Sequence, residues 1–270
     1  MRRGTRVAKV PGDLTCAAHS LILGLIACMH GNFEWFNSIQ DVFRKIVREI
    51  HDIDGKNLGC VVKPHILRDE IPDFVKEKGP DFFLRFFGHE KWFWDDLVDG
   101  NIRGINKLTR EKPNERNFME YANPFFMVSS YLFKCQILVI AKNGSECCYE
   151  GAKDGTKDVP IIRIYSDMDV HGGTHFDAML PDDFDNSWFP SIDNFNEPGP
   201  LYTVDGVEYR DIIPRIDLWH SFLGTKYQEV LNKHQQFIAD REFAEKLALQ
   251  ESQSASDAEL AAKLSAEWNN

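Results

Sequence analysis

The densest run of apolar positions lies between residues 17 and 29, "AAHSLILGLIACM", apolar nearly all round rather than on one stripe, which predicts a central buried helix. Residues 38–51, "SIQDVFRKIVREIH", carry Ile39, Val42, Phe43, Ile46, Val47 and Ile50 at helical spacing, and predict an amphipathic helix with Ser38 as N-cap. Residues 60–122 hold aromatic clusters, "DFFLRFF" and "KWFWDDL", broken by Pro and Gly, and read as a helical insertion with loops. Asn123-Pro124 then marks a helix start, because proline is tolerated at the first helical position. The helix "PFFMVSSYLF" runs into "CQILVIA" (135–141), an apolar, β-rich run that predicts a strand. A turn-rich segment (143–155) separates it from "PIIRIYS" (160–166), and "HFDAML" (175–180) predicts a third strand. "LYTVDGVEYR" predicts a hairpin turning at Asp205-Gly206. From about Ile216 the pattern is helical to the C-terminus.

A helical front half followed by strands and loops predicts an α+β domain, a small central β-sheet flanked by helices. We expect this domain over residues 1–200 and a separate hairpin-plus-helix extension over 201–270. At 270 residues and 43% hydrophobic composition the chain can bury a sizeable core. Acidic residues outnumber basic ones 42 to 31, for a formal charge of −11, which argues against a nucleic-acid partner. The six cysteines (16, 28, 60, 135, 147, 148) show no disulfide framework, and a reducing compartment is expected. The start, "MRRGTRVAKV", has no apolar stretch of signal-peptide type, and the apolar run at 21–28 is too short for a bilayer. The expectation is a soluble, cytoplasmic protein without membrane contact.

The chemistry concentrates at two places. "GDLTCAAHSL" (12–21) sets Cys16 at the mouth of the buried helix. A cysteine there faces unpaired backbone N–H groups and the positive end of the helix dipole, which favour thiolate and can receive an oxyanion. A nucleophile also needs a base, and "HGGTHFDAML" (171–180) offers His175 at a strand start with Asp177 two residues on. Residues i and i+2 of a strand share a face, so Asp177 can orient the imidazole. His19, at i+3 on the apolar helix, reads as a core residue. His171 lacks a carboxylate at +2. Cys28, Cys60 and Cys135 read as buried structural thiols. The histidines lack metal-ligand spacing, so neither metal nor cofactor is expected.

With those residues in view, "DLTCAAHSL" resembles the nucleophile segment of the ovarian tumour (OTU) family of cysteine deubiquitinases, with Asp13, Cys16, His19, Ser20 and Leu21 in register. "THFDAML" resembles the family's His-aromatic-[Asp/Asn] motif through His175, Phe176 and Asp177, and "NPFFMVSSYLFKCQILVI" its preceding helix-then-strand element. The resemblance covers roughly 10–182 and implies an OTU-like cysteine protease fold. It implies Cys16 as nucleophile, His175 as base, Asp177 as orienting group and Asp13 as shaper of the oxyanion loop. The substrate would be the C-terminal Gly-Gly tail of ubiquitin or a polyubiquitin chain, in a channel near Gly172, Gly173 and Thr174. Two positions depart from the family pattern: Leu14 stands where the family has Gly, and Ala17 is smaller than usual. Either the loop has another shape or Gly12 supplies the flexibility one step earlier. A divergent member, such as a bacterial or viral effector working in a host cytosol, would fit these departures.

In the extension, "DREFAEKL" (240–247) and "DAELAAKL" (257–264) repeat each other and resemble helical ubiquitin-interacting motifs, with Ala248 and Ser252, and Ala261 and Ser265, four apart. An ordinary amphipathic helix shares these features. Two other readings of the whole stay open: a papain-like protease or acyltransferase acting on another substrate, and a catalytically weakened ubiquitin-binding module.

Overall fold

The computed structural model describes residues 4–12, 15–64, 66–67, 118–151, 159–168, 174–204 and 207–268. It is an α+β structure. Most of the insertion expected at 60–122 lies outside the described residues, and so does the Asp205-Gly206 turn. Two compact units divide the chain at Met1–Gln228 and Glu229–Asn270. The hairpin and the first turns of the last helix fall within the first of these units.

The central sheet has five strands in the order β1-β7-β6-β4-β5. They are β1 (Thr5–Ala8), β4 (Gln136–Ala141), β5 (Glu146–Glu150), β6 (Ile161–Met168) and β7 (Thr174–Pro181). β4 and β6 run parallel, Val139 opposite Ile164, and the other neighbours are antiparallel. β1 and β5 were not anticipated from the sequence. β5, "ECCYE", is polar apart from the buried Tyr149, and lies in the segment expected as turn. Only its pairing with β4, after a turn in which Gly144 takes φ +82°, makes it a strand.

Helix α1 (Cys16–Met29) lies against β7 and β6, and twelve of its fourteen residues are buried. Its apolar surface is continuous because it is covered on more than one side. Gly24 faces Ile162 of the sheet, while the ring of His19 meets Trp219 at 5.9 Å and His220 at 6.2 Å.

Helix α2 (Phe33–Arg44) corrects the expected helix over 38–51. Its N-cap is Asn32, whose side chain accepts from Trp35 N at 3.2 Å. Trp35, Phe36, Ile39 and Phe43 form its buried stripe, and the Trp35 indole donates to the carbonyls of Phe133 (2.8 Å) and Lys134 (3.2 Å). After Arg44 the chain enters β2 (Val47–His51), paired with β3 (Asn57–Val62). "VREIH" satisfies a helical and an alternating pattern equally. The partner strand decides, and Ile50 is exposed rather than on a helix stripe.

Helix α3 (Phe118–Leu132) begins before Asn123-Pro124, correcting that expected start. Pro124 has no N–H to donate to the preceding turn, but favourable helix formers upstream carry the helix past it. Past its C-terminal end Lys134 takes φ 47°, and Cys135 N donates to Ser130 O at 3.0 Å, turning the chain into β4. The final hairpin, β8 (Asn196–Val204) with β9 (Val207–Pro214), is longer than expected. Helix α4 (Ile216–Trp268) follows it. Trp219, Leu223 and Tyr227 are buried at the start of α4, with Trp219 on Phe195 at 5.0 Å and Tyr227 on Phe43 at 5.0 Å. Gly224 lies so close to the Cys60 carbonyl that no side chain fits between them.

Candidate active site

Cys16 is the first residue of α1 and is 3% exposed. Ala18 N and His19 N donate back to the Thr15 carbonyl at 2.9 and 3.0 Å, closing the first turn. The N–H groups at the very start of a helix have no partner within it, so those beside the thiol are available to an incoming oxygen.

His175 is the second residue of β7, opposite Asp167 of β6, and its side chain is about one-third exposed. The interaction of Asp177 Oδ1 with His175 Nε2 measures 3.1 Å. The strand's two-residue period brings both side chains to one face, as the sequence pattern implied. Nε2 is thus engaged with the carboxylate, and Cys16 lies near enough to the ring to favour its charged form. Gly12 runs beside the ring, and a Cβ built on it would lie 3.9 Å from His175 Nδ1 and Cε1. Gly12 is not left-handed, so the expected alternative, that it supplies special backbone freedom, has no basis in its conformation.

The electrostatics follow from these bonds. Burial of the His175 ring works against its charged form. The bonds to Asp177 and Cys16, and the negative charge on both, outweigh that and push its pKa from 6.5 up to about 10. Burial also opposes ionisation of Asp177. His175, Lys9 and the Val10 N–H overcome it and hold the carboxyl below its usual range. The arrangement keeps the His175 imidazole readily protonated beside a thiol at a helix start, so Cys16 can serve as nucleophile and His175 as proton carrier.

Lys9 and Val10 have no motif in the sequence to announce them. Lys9 Nζ reaches Asp177 Oδ2 at 2.6 Å, and Val10 N donates to Oδ1 at 3.1 Å. Only the pairing of β1 with β7 brings these residues to the site. The alternation in "TRVAKV" was the one available hint.

Asp13, Leu14, His171, Gly172 and Gly173 lie outside the described residues. Thr174 opens β7, with its backbone paired to Met168. His19 is buried in the core, its Nε2 2.9 Å from Thr15 Oγ1. All six cysteines are free thiols. Burial pushes Cys28 up to about 12 and Cys135 well above the usual thiol value, the behaviour of packed structural residues. Among the described residues no cluster of three or more His, Cys, Asp or Glu side chains is arranged to hold a metal, and no helix is long and apolar enough to cross a membrane.

No protein-family model matches the chain, and no curated protein matches it in sequence.

Proposed function

We propose that this chain is a thiol-dependent deubiquitinase with an OTU-like fold, a divergent member of that family, acting in the cytoplasm on ubiquitin or polyubiquitin. The observation that carries the reading is the His175 ring, its Nε2 3.1 Å from Asp177 Oδ1 and its charged form favoured by both Asp177 and Cys16. A mixed sheet with the nucleophile at a helix start and the base on a neighbouring strand supports it. So do the motif resemblances around Cys16 and His175.

In this mechanism the Cys16 thiolate attacks the carbonyl carbon of the terminal glycine of ubiquitin, forming a C–S bond while the carbonyl electrons move onto oxygen. The oxyanion is received by the N–H of Cys16, with Asp13 shaping the loop before it. Collapse of this intermediate breaks the C–N bond, and imidazolium His175 gives its proton to the departing lysine amine. Water, deprotonated by His175, then attacks the thioester. The products are the free ubiquitin carboxylate and the regenerated thiol. The extended Gly-Gly tail would pass by Gly172, Gly173 and Thr174. The exposed repeats of α4, around Ala248 and Ser252 and around Ala261 and Ser265, would offer a second ubiquitin contact.

The test uses ubiquitin carrying a thiol-reactive group at its C-terminus, mixed with wild-type protein and with Cys16→Ala. The proposal expects an adduct with wild type alone. Folded wild-type protein that forms none would overturn it.

A further inference from the structure

We infer that Lys9 is a positioning residue for the thiol chemistry, its ammonium clamped on Asp177 so that the carboxylate keeps the orientation His175 requires. This rests on the reading of Cys16 and His175 as nucleophile and base.

The Asp177 side chain is fully inaccessible, and a buried carboxylate is tolerable only when its oxygens are paired. Oδ1 accepts from Val10 N and faces His175 Nε2, and Oδ2 takes Lys9 Nζ at 2.6 Å. With both oxygens engaged from two sides, the carboxyl plane has one orientation. Val10 and His175 alone would hold only Oδ1.

The position of Lys9 follows from strand register. Ala8 of β1 pairs with Ala178 of β7, so the next residue along β1 comes opposite Asp177. β1 is a four-residue strand at the edge of the sheet, and its exit delivers both Lys9 and Val10 to one carboxylate. The Lys9 side chain is about half exposed. Its loss therefore opens no buried cavity, but it leaves Asp177 Oδ2 buried without its partner, which also costs stability. Its effect is concentrated on Asp177.

The charged groups converging here are Asp177 and His175 on β7, Lys9 beyond β1, and Cys16 on α1, reached through the imidazole. Removing the ammonium leaves Asp177 easier to protonate and freer to rotate. Both changes weaken its hold on the imidazolium and so the thiolate paired with it.

The experiment measures alkylation of Cys16 by iodoacetamide across pH, read by mass spectrometry, alongside turnover of a ubiquitin C-terminal amide. Wild type, His175→Ala, Lys9→Met and Lys9→Arg are compared, each with its melting temperature. The inference expects Lys9→Met to lower turnover by on the order of tenfold, the effect of losing one charge-assisted hydrogen bond. The acid limb of Cys16 alkylation should move to higher pH, accompanied by a lower melting temperature from the buried carboxylate oxygen left unpaired. Lys9→Arg should restore both readouts. If Lys9→Met does not fold, Lys9→Gln takes its place. An unmoved pH profile in the neutral variant, whatever its melting temperature, would overturn the role of Lys9. Equal alkylation of wild type and His175→Ala at every pH would instead overturn the underlying thiol–imidazole reading.

Discussion

Gly24 on α1 meets Ile162 on β6 with no room for a methyl group: a Cβ at position 24 would lie 2.6 Å from Ile162 Cγ2. That branch methyl is fixed close to the backbone of a central strand and cannot swing aside. Gly24 therefore sets how closely α1, which carries Cys16, approaches the sheet that carries His175. Gly24→Ala gains about 1 kcal/mol of helix propensity but incurs roughly 1–3 kcal/mol of overpacking. We expect a net loss of stability in urea unfolding, together with slower alkylation of Cys16. The stability penalty should shrink in an Ile162→Ala background, since the two residues touch.

His175 and His19 should separate cleanly in kinetics. His175→Ala is expected to lower turnover of a ubiquitin C-terminal amide by roughly 10²–10⁴-fold, the usual worth of a positioned acid–base group. His19, buried on Thr15 and Trp219, should on replacement by Ala lower the melting temperature while leaving most of the turnover per folded molecule. Loss of turnover in His19→Ala at full folding would reverse the assignment.

The pH dependence follows from the directions of the shifts. His175 is raised to about 10 in the folded chain, so its interactions stabilise the fold fully below about 6.5 and that contribution is lost as pH rises through about 10. Proton donation to the leaving amine should fail over the same alkaline range. Asp177 is shifted the other way. Its contribution is present above the ordinary Asp value and disappears as pH falls through its lowered one. Asp177→Asn should abolish the acid contribution and bring the alkaline limb of turnover down toward neutrality, measured as kcat against pH.

Lys134 holds φ 47° where α3 turns into β4, a conformation that favours glycine. Lys134→Gly should stabilise the protein by about 1 kcal/mol in chemical denaturation. The gain would be reduced by loss of the exposed hydrogen bond from Lys134 Nζ to Ser38 O.

The two-residue spacing of His175 and Asp177, the buried helix behind Cys16 and the strands expected at 135–141 and 160–166 are legible in sequence, because each depends on a local period. The helix limits around 44 and 118 are not. "VREIH" suits two periods, and only β3 chooses between them. Pro124 favours a helix start, but the residues before it extend the helix.

The sequence by itself determined that a thiol would open an apolar helix and that an imidazole and a carboxylate would share one strand face. Side-chain direction within a helix or strand follows from backbone geometry alone. Only the tertiary structure decided that the two segments meet, and that Lys9 and Val10, 168 and 167 positions away, complete the carboxylate. Those pairings depend on the register of β1 against β7 and on the approach of α1 to the sheet. Both are set by long-range packing, to which no local pattern is sensitive.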